Sequence, residues 1–363
     1  MLSLCLFLCA LPTPQDSEDE LVAELESAAW ELVERTRVPG VGLAVVRGGK
    51  LVRAFGAGFT EQGGDVEVTG DTVFSVGSIS KTVAAWGLME LVEEHKLALD
   101  APVVTKRWQL PASSFDARGV TLRRLLSHTA GLSLHGYPGF QPGVKLPSLE
   151  ASLSGDTNEA GDVRLEVEPG SRWQYSGGGY TWAQLLCEEA SGLSFAAYMG
   201  EHVLLPLGMQ SSAYGWSEEL VARAARPHDE RGALLPAGGP CFPELAAAGF
   251  LTTANDLARF ALASMPRYRK ETVLTNATLE LMQTPAENSP EYGLGYGIRH
   301  EQGLTLVGHG GANIGWIAQL TIAPATGDAF LALTNASHGQ VVTAELEKLW
   351  IAALAQRAPV QAR

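Results

Sequence analysis

Residues 74–85 read FSVGSISKTVAA, a short apolar run followed by two serines and a lysine at the mouth of a segment with helical character. Ser78 and Lys81 lie three positions apart, which stacks them on one face of a helix. At a helix N-terminus the free N–H groups and the dipole favour negative charge, so a serine there is well placed for acyl transfer. A partly desolvated lysine one turn further on can assist it. The same residues also fit an ordinary helix start, with Ser78 as cap and Lys81 in water. Ser-x-x-Lys is a weak motif that a chain of this length carries about once by chance, so the rest of the chain must decide.

Outward from this stretch the pattern changes twice. Residues 18–37 are amphipathic and predict a helix that stops before Pro39. VGLAVV and KLVRAFGAGF then flank Arg47-Gly48-Gly49 and predict a β-hairpin on a glycine turn. From about residue 79 to 265 the pattern is mostly helical. ISKTVAAWGLMELVEEHK sets Val83, Leu88, Leu91 and Val92 near one face, and YTWAQLLCEEASG ends on Gly192, suited to a C-cap. Strands return after about 292 as LTLVGHG, WIAQLTIAP and AFLALTN, the last two joined by Ala325-Thr326-Gly327-Asp328. A final helix covers residues 341–356. Strands at both ends and helices between predict an α+β fold, with an antiparallel β-sheet built from both chain ends and flanked by helices. The α/β part takes residues 17–78 and 290–358, and a mostly helical region, 79–289, is inserted between them. Active sites favour such a junction.

Composition narrows the function. Lys and Arg number 26 against 40 Asp and Glu, a net charge of −14 in 363 residues. A nucleic-acid surface would need a local basic cluster to overcome that charge. The nearest candidate, Arg267, Arg269 and Lys270, is one short patch, so no nucleic-acid partner is expected. The first residues, MLSLCLFLCALPTPQDSEDE, hold an apolar run too short to span a bilayer and suited to a signal peptide. Export to the periplasm or the extracellular space is the expectation, with residues 1–16 as the leader and no stable transmembrane anchor; the alternative is a mis-assigned start or a disordered N-terminal tail over the same residues. No Lys or Arg precedes the run, and the cleavage site near Ala10 is poorly formed. Once the leader is removed, Cys187 and Cys241 remain, without metal-site spacing, as two buried thiols or one disulfide.

Two further stretches bear on Ser78. EPGSRWQYSGGGYTWAQLL, residues 168–186, carries Tyr175 on a glycine-rich turn just before a helix. VGHGGANIGW, residues 307–316, sets His309, Gly310 and Gly311 at the end of a strand, where paired glycines allow close approach. Each alone reads as ordinary structure.

Taken in order, Ser78-x-x-Lys81, Tyr175-Ser176-Gly177 and His309-Gly310-Gly311 resemble the three motifs of the penicillin-recognising serine hydrolases. Within these, the chain looks most like the branch of class C β-lactamases and D-alanyl-D-alanine carboxypeptidases. The resemblance runs from about residue 25 to 355 and includes VPGVGLAVVRGGK, LLSHTAGL, HVLLPLGM, AGFLTTANDLARF and YGLGYGI. It implies a β-lactamase/transpeptidase-like fold and an acyl-serine mechanism without metal or organic cofactor. Ser78 would be the nucleophile, with Lys81 and Tyr175 as its acid–base partners. The oxyanion would sit between the backbone N–H groups of Ser78 and Ala312, with His309, Gly310, Gly311 and Gly177 lining the substrate.

Two positions depart from the family pattern. Members that act on β-lactams usually place Asn where this chain has Gly177, and the third motif often begins with Lys where this chain has His309. Both losses weaken recognition of an anionic substrate and leave the nucleophilic residues intact. The expected activity is that of a serine hydrolase on a small ester, a peptide-like amide or a cell-wall-derived substrate. The alternatives are a true β-lactamase or carboxypeptidase, or a non-catalytic penicillin-binding-type receptor. No Gly-x-Ser-x-Gly elbow is present to suggest an α/β-hydrolase.

Overall fold

The two ends of the chain meet in one antiparallel sheet. The computed structural model describes residues 14–269 and 273–356; of the expected leader, residues 1–13 lie outside the described residues. Helix α1 (Pro14–Thr36) leads into the hairpin β1 (Gly40–Arg47) and β2 (Lys50–Gly58), whose turn is Gly48-Gly49, both at positive φ. Strand β3 (Phe74–Ser75) and helix α2 (Ile79–Glu93) follow. The middle of the chain carries α3 (Gly177–Ser191), β4 (Ala213–Tyr214), α4 (Leu245–Ala248), β5 (Phe250–Thr252) and α5 (Ala254–Ala263), besides shorter helices. The last part is β6 (Gly297–Glu301), β7 (Leu304–Asn313), β8 (Trp316–Ala323), β9 (Asp328–Thr334) and α6 (Gln340–Ala355). The large sheet runs in the order β2-β1-β9-β8-β7-β6.

Strand β9 is central and buried along its whole length, which explains the continuous apolar run AFLALT. Phe330 and Ala332 point to the face covered by α1 and α6, against Leu25, Leu346 and Trp350. Leu331 and Leu333 point to the opposite face, into the larger core that holds α2 and α3. This is the β-lactamase/transpeptidase-like arrangement of mixed helices and antiparallel sheet expected above. The middle is less helical than its sequence pattern suggested. Residues 127–148 and 154–176 form no helix, because prolines and glycines such as Pro138, Gly139, Pro142 and Gly143 remove donors and favour turns. These loops instead wall the cleft described below.

What positions that cleft is a close crossing of two backbones. A small second sheet, β3-β5-β4, holds Phe74 and Ser75 against Leu251 and Thr252. Directly after it, residues 76–78 pass beneath the end of β7. A Cβ on Gly311 would lie 1.9 Å from the Val76 carbonyl oxygen, so only glycine fits there. Gly77 has φ +48°, and a Cβ on it would meet Ala312 N at 2.5 Å. Gly311→Ala should therefore push the two segments apart and cost about 1–3 kcal/mol, as overpacking does. Urea denaturation checks this, and an unchanged midpoint would show that the crossing is looser than described.

Candidate active site

Ser78 occupies the N-cap position of α2 but makes no side-chain cap bond, which leaves its hydroxyl free of the role an ordinary helix start would give it. One turn on, Lys81 brings Nζ to 3.1 Å from Ser78 Oγ. The same ammonium donates to the Ala247 carbonyl on α4 at 2.7 Å. It lies 4.9 Å from the centre of the Tyr175 ring and 5.9 Å from that of Tyr180. Lys81 is only 2% exposed. The competing serines are occupied. Ser80 Oγ donates to the Gly77 carbonyl and accepts from Phe250 N–H. Ser176 Oγ donates to the Ser133 carbonyl and caps Gly179 N–H at the start of α3.

Tyr175 is held at the end of a loop, immediately before that cap. Gln174 N–H donates to the His128 carbonyl at 2.7 Å, and Ser176 N–H donates to His128 Nδ1 at 3.1 Å. The Tyr175 ring packs at 4.2 Å on His128 and 4.7 Å on His135, with His309 at 6.1 Å between ring centres. The glycines after it are not a turn, as expected from sequence, but the first turn of α3. They are there for closeness. A Cβ on Gly178 would stand 2.9 Å from the Ser133 carbonyl oxygen, and one on Gly177 would stand 3.1 Å from that of His135. Gly177 consequently does not line the cleft, whose wall at this point is His135, Gly136 and Tyr137. An asparagine there would have to displace that wall first.

The third motif lies along an open strand edge. Strand β6 pairs with β7 only as far as Gly308, so the outer edge of residues 309–313 carries no strand partner among the described residues. A two-residue turn joins Asn313 to Trp316. This makes them a hydrogen-bonded pair, and strict alternation then turns the N–H and C=O of Ala312 and Gly310 outward, away from β8. Asn313 fastens the strand end through Nδ2 to Ser75 Oγ at 2.9 Å and to the Ala248 carbonyl at 3.0 Å. The Ser78 N–H makes no hydrogen bond to the described residues. His309 Nδ1 bonds to the Gly310 carbonyl, and Nε2 is buried without a partner among the described residues. Burial, and then the neighbouring Lys81 charge, hold the His309 imidazole down to about 4. It is therefore neutral at pH 7.

Together these residues border a cleft of about 490 Å³. The fold thus brings Ser78, Lys81, Tyr175, His309, Gly310, Gly311 and Ala312 to one place, and leaves Gly177 behind its wall. Lys81 is the one Lys, Arg, Asp or Glu among the described residues that line it; the remainder are aromatic, aliphatic, hydroxyl, amide or small side chains, including Trp173, Ile317 and Gln319. No metal-binding cluster of His, Cys, Asp or Glu occurs among the described residues. Cys187 and Cys241 are both unpaired, which decides between the thiol and disulfide readings.

A family model described as Beta-lactamase matches residues 22–355. The chain belongs to the Beta-lactamase family. Penicillin-binding protein 4 of Amycolatopsis lactamdurans is 29% identical over 346 residues, spanning 89% of this chain and 87% of that protein. Esterase EstB of Burkholderia gladioli is 28% identical over 207 residues, 53% of this chain and 52% of that one. The octameric penicillin-binding protein homologue from Pyrococcus abyssi superposes with a TM-score of 0.75 at 27% identity, covering 93% of this chain and 78% of its own. Curated relatives in this family are thus named as penicillin-binding proteins and as a hydrolase of esters.

Within this Beta-lactamase-family site, the sequence reading missed His128, His135, Tyr137, Trp173 and Ala247. Four of them sit on loops without periodicity, and Ala247 acts through its backbone, which leaves no sequence signal. His128 is inside LLSHTAGL, where its presence was noted but not its contacts. It is 1% exposed, and burial, then the charges of Lys81, His309 and His135, hold its imidazole well below the usual range. A histidine kept neutral only by folding supports stability above about pH 6.5, and that support is lost as pH falls, because the unfolded chain then binds the proton. The stability of His128→Asn relative to wild type should rise as pH drops below 6.5, by up to about 1.4 kcal/mol per unit. Glu244, pushed up to about 7 by burial, works in the opposite direction but equally in both proteins. Urea titrations at pH 7, 6 and 5 measure the difference; a gap that does not change with pH would mean His128 is not held neutral.

Proposed function

We propose that the protein is a hydrolase of uncharged esters, or of peptide-like amides, acting through an acyl-serine intermediate. The observation that carries this reading is the Ser78 hydroxyl, bonded to a buried lysine and open to the cleft while Ser80 and Ser176 are tied up. Ser78 Oγ attacks the substrate carbonyl carbon and forms the Oγ–C bond. Its proton passes to Tyr175, which returns one to the departing alcohol or amine as the bond to carbon breaks. Lys81 holds Ser78 Oγ and presents its charge to the tyrosine. The carbonyl oxygen, negative in the tetrahedral intermediate, lies between Ser78 N–H and the outward-facing Ala312 N–H. Water then attacks the acyl carbon; Tyr175 takes its proton and passes one to Ser78 Oγ as the Oγ–C bond breaks, which releases the acid and regenerates the serine. Export of the chain is part of this proposal, since a leader-like run precedes residue 14.

The neutral lining argues for esters and against substrates that need a carboxylate clamp. His309 supplies no permanent charge, and Lys81 is already shared between Ser78 and Ala247. A hydrogen bond to a charged group contributes about 1.5–3 kcal/mol, so lacking a clamp should cost on the order of 10²-fold in turnover of an anionic β-lactam.

Ser78→Ala should abolish both p-nitrophenyl ester hydrolysis and labelling by a fluorophosphonate, and should cost about 1–3 kcal/mol of stability, since no cap bond is lost but the buried Lys81 ammonium loses an acceptor. A label that persists in the variant, or maps to Ser80 or Ser176, would refute the assignment. Lys81→Ala and Tyr175→Phe should each lower kcat by about 10²-fold or more, and the double variant should be little worse than either, because the two act as one unit. Additive losses would separate their roles. Wild type compared on a p-nitrophenyl ester and a chromogenic cephalosporin should favour the ester strongly; the reverse preference would overturn the substrate class.

A further inference from the structure

We propose that His128 is a positioning residue for Tyr175, gripping the backbone on both sides of it and bracing its ring. The inference rests on the acyl-serine reading, in which Tyr175 carries the proton. Three observations converge on it. First, the grip is bilateral: the His128 carbonyl takes the Gln174 N–H and its Nδ1 takes the Ser176 N–H, the residues immediately before and after Tyr175. Two bonds on flanking residues leave the tyrosine little freedom to translate. Second, the imidazole lies against the Tyr175 ring at 4.2 Å with planes 35° apart. Behind it, Tyr180 and Tyr292 close on the same imidazole at 5.3 and 4.8 Å, so the brace itself cannot swing.

Third, the residue is expensive to keep if packing were its only purpose. His128 sits at φ +58°, a left-handed conformation that non-glycine residues adopt at a cost, and Nε2 is buried with no partner among the described residues. A buried N–H without an acceptor is a penalty that a phenylalanine or leucine would not incur. What the imidazole offers in return is a bare ring nitrogen aimed at a backbone N–H. That requires the tautomer with the proton on Nε2, since a proton on Nδ1 would face the Ser176 N–H. Burial and the nearby Lys81 charge keep the ring neutral, as this geometry needs.

The test uses two substitutions that both tolerate positive φ. Asparagine can put Oδ1 close to where Nδ1 was and accept the Ser176 N–H; glycine cannot. Displacing a catalytic group by an ångström costs on the order of 10²-fold. His128→Gly should therefore lose about that much kcat on a p-nitrophenyl ester while KM stays within about 3-fold, and His128→Asn should recover most of it. Equal kcat in glycine variant and wild type, or an asparagine variant as slow as glycine, overturns the inference. Tyr175→Phe is measured beside them: if it keeps wild-type kcat, the reading of the tyrosine fails and the inference with it, whereas a dead Tyr175→Phe with a fully active His128→Gly defeats the inference alone. Nitrogen-15 NMR of wild type, assigned by the signal lost in His128→Asn, adds a readout independent of how the variants fold. A His128 ring at pH 7 with Nδ1 unprotonated is expected, and Nδ1 protonation contradicts the grip.

Discussion

One ammonium group, almost wholly removed from water and without a carboxylate to answer it among the described residues, is the constraint around which the site is built. Burying a charge unpaired is costly enough that the fold must supply dipoles instead. Lys81 finds the Ala247 carbonyl, the Ser78 hydroxyl and two aromatic faces. The carbonyl is not left to chance. Gln184 on α3 accepts the Ala246 N–H and donates to the Pro243 carbonyl, clamping the entry to the short α4 segment that carries Ala247. Glu244, at the start of α4, is itself buried and takes a hydrogen bond from Ser152. The helix that begins at Gly177 is thus bound to the lysine by a continuous polar path, and the Tyr175 loop enters that same helix.

A second requirement is that main chains approach each other more closely than side chains allow. Residues 76–78 under 310–312, and 177–178 against 133–136, are both contacts where a single methyl group would collide with a carbonyl oxygen or stand tight against it. Glycine is the answer in each, though the dihedral angles differ. Gly77 needs its positive φ, while Gly311, Gly177 and Gly178 sit at ordinary angles and are chosen for absence of bulk. The outcome is a serine N–H and a strand-edge N–H brought near one another by rigid elements, which preorganised donors demand.

These two demands explain what could and could not be read from sequence. The long strands, both glycine hairpin turns and the terminal helices follow from local pattern, because each has a face or run to bury. The sheet of β3, β4 and β5 has two or three residues per strand, below the reach of any periodicity, yet it fixes the segment that delivers Ser78. Gly177–Gly179 looked like a turn because glycine is a poor helix former, and tertiary closeness overrode propensity. Ser78 and Lys81 were legible since one helical turn relates them. His128 and Tyr175 are 47 positions apart with no element in common, so their contact exists only in three dimensions. The order of three motifs along the chain, rather than any one of them, carried the reading across that gap.

The electrostatic character of the cleft follows from the same parts. One cation, the neutral His309 imidazole and backbone N–H groups line it, with no Asp or Glu among the described residues that do so, and a second neutral imidazole, that of His128, packs on Tyr175. Among the described residues the His128 Nε2–H finds no acceptor, and His309, whose Nδ1–H goes to the Gly310 carbonyl, leaves its Nε2 lone pair without a donor. Free backbone N–H groups and a half-answered ammonium make this environment unfavourable to any further positive charge and receptive to negative charge appearing at its centre. In an acyl transfer that charge forms twice on the carbonyl oxygen, once in the tetrahedral intermediate of acylation and once in that of deacylation, and each time it lies where the donors converge. A substrate arriving with its own carboxylate would compete for that same field before any bond had changed. A neutral one leaves it unspent until the transition state, which is where interaction energy accelerates a reaction.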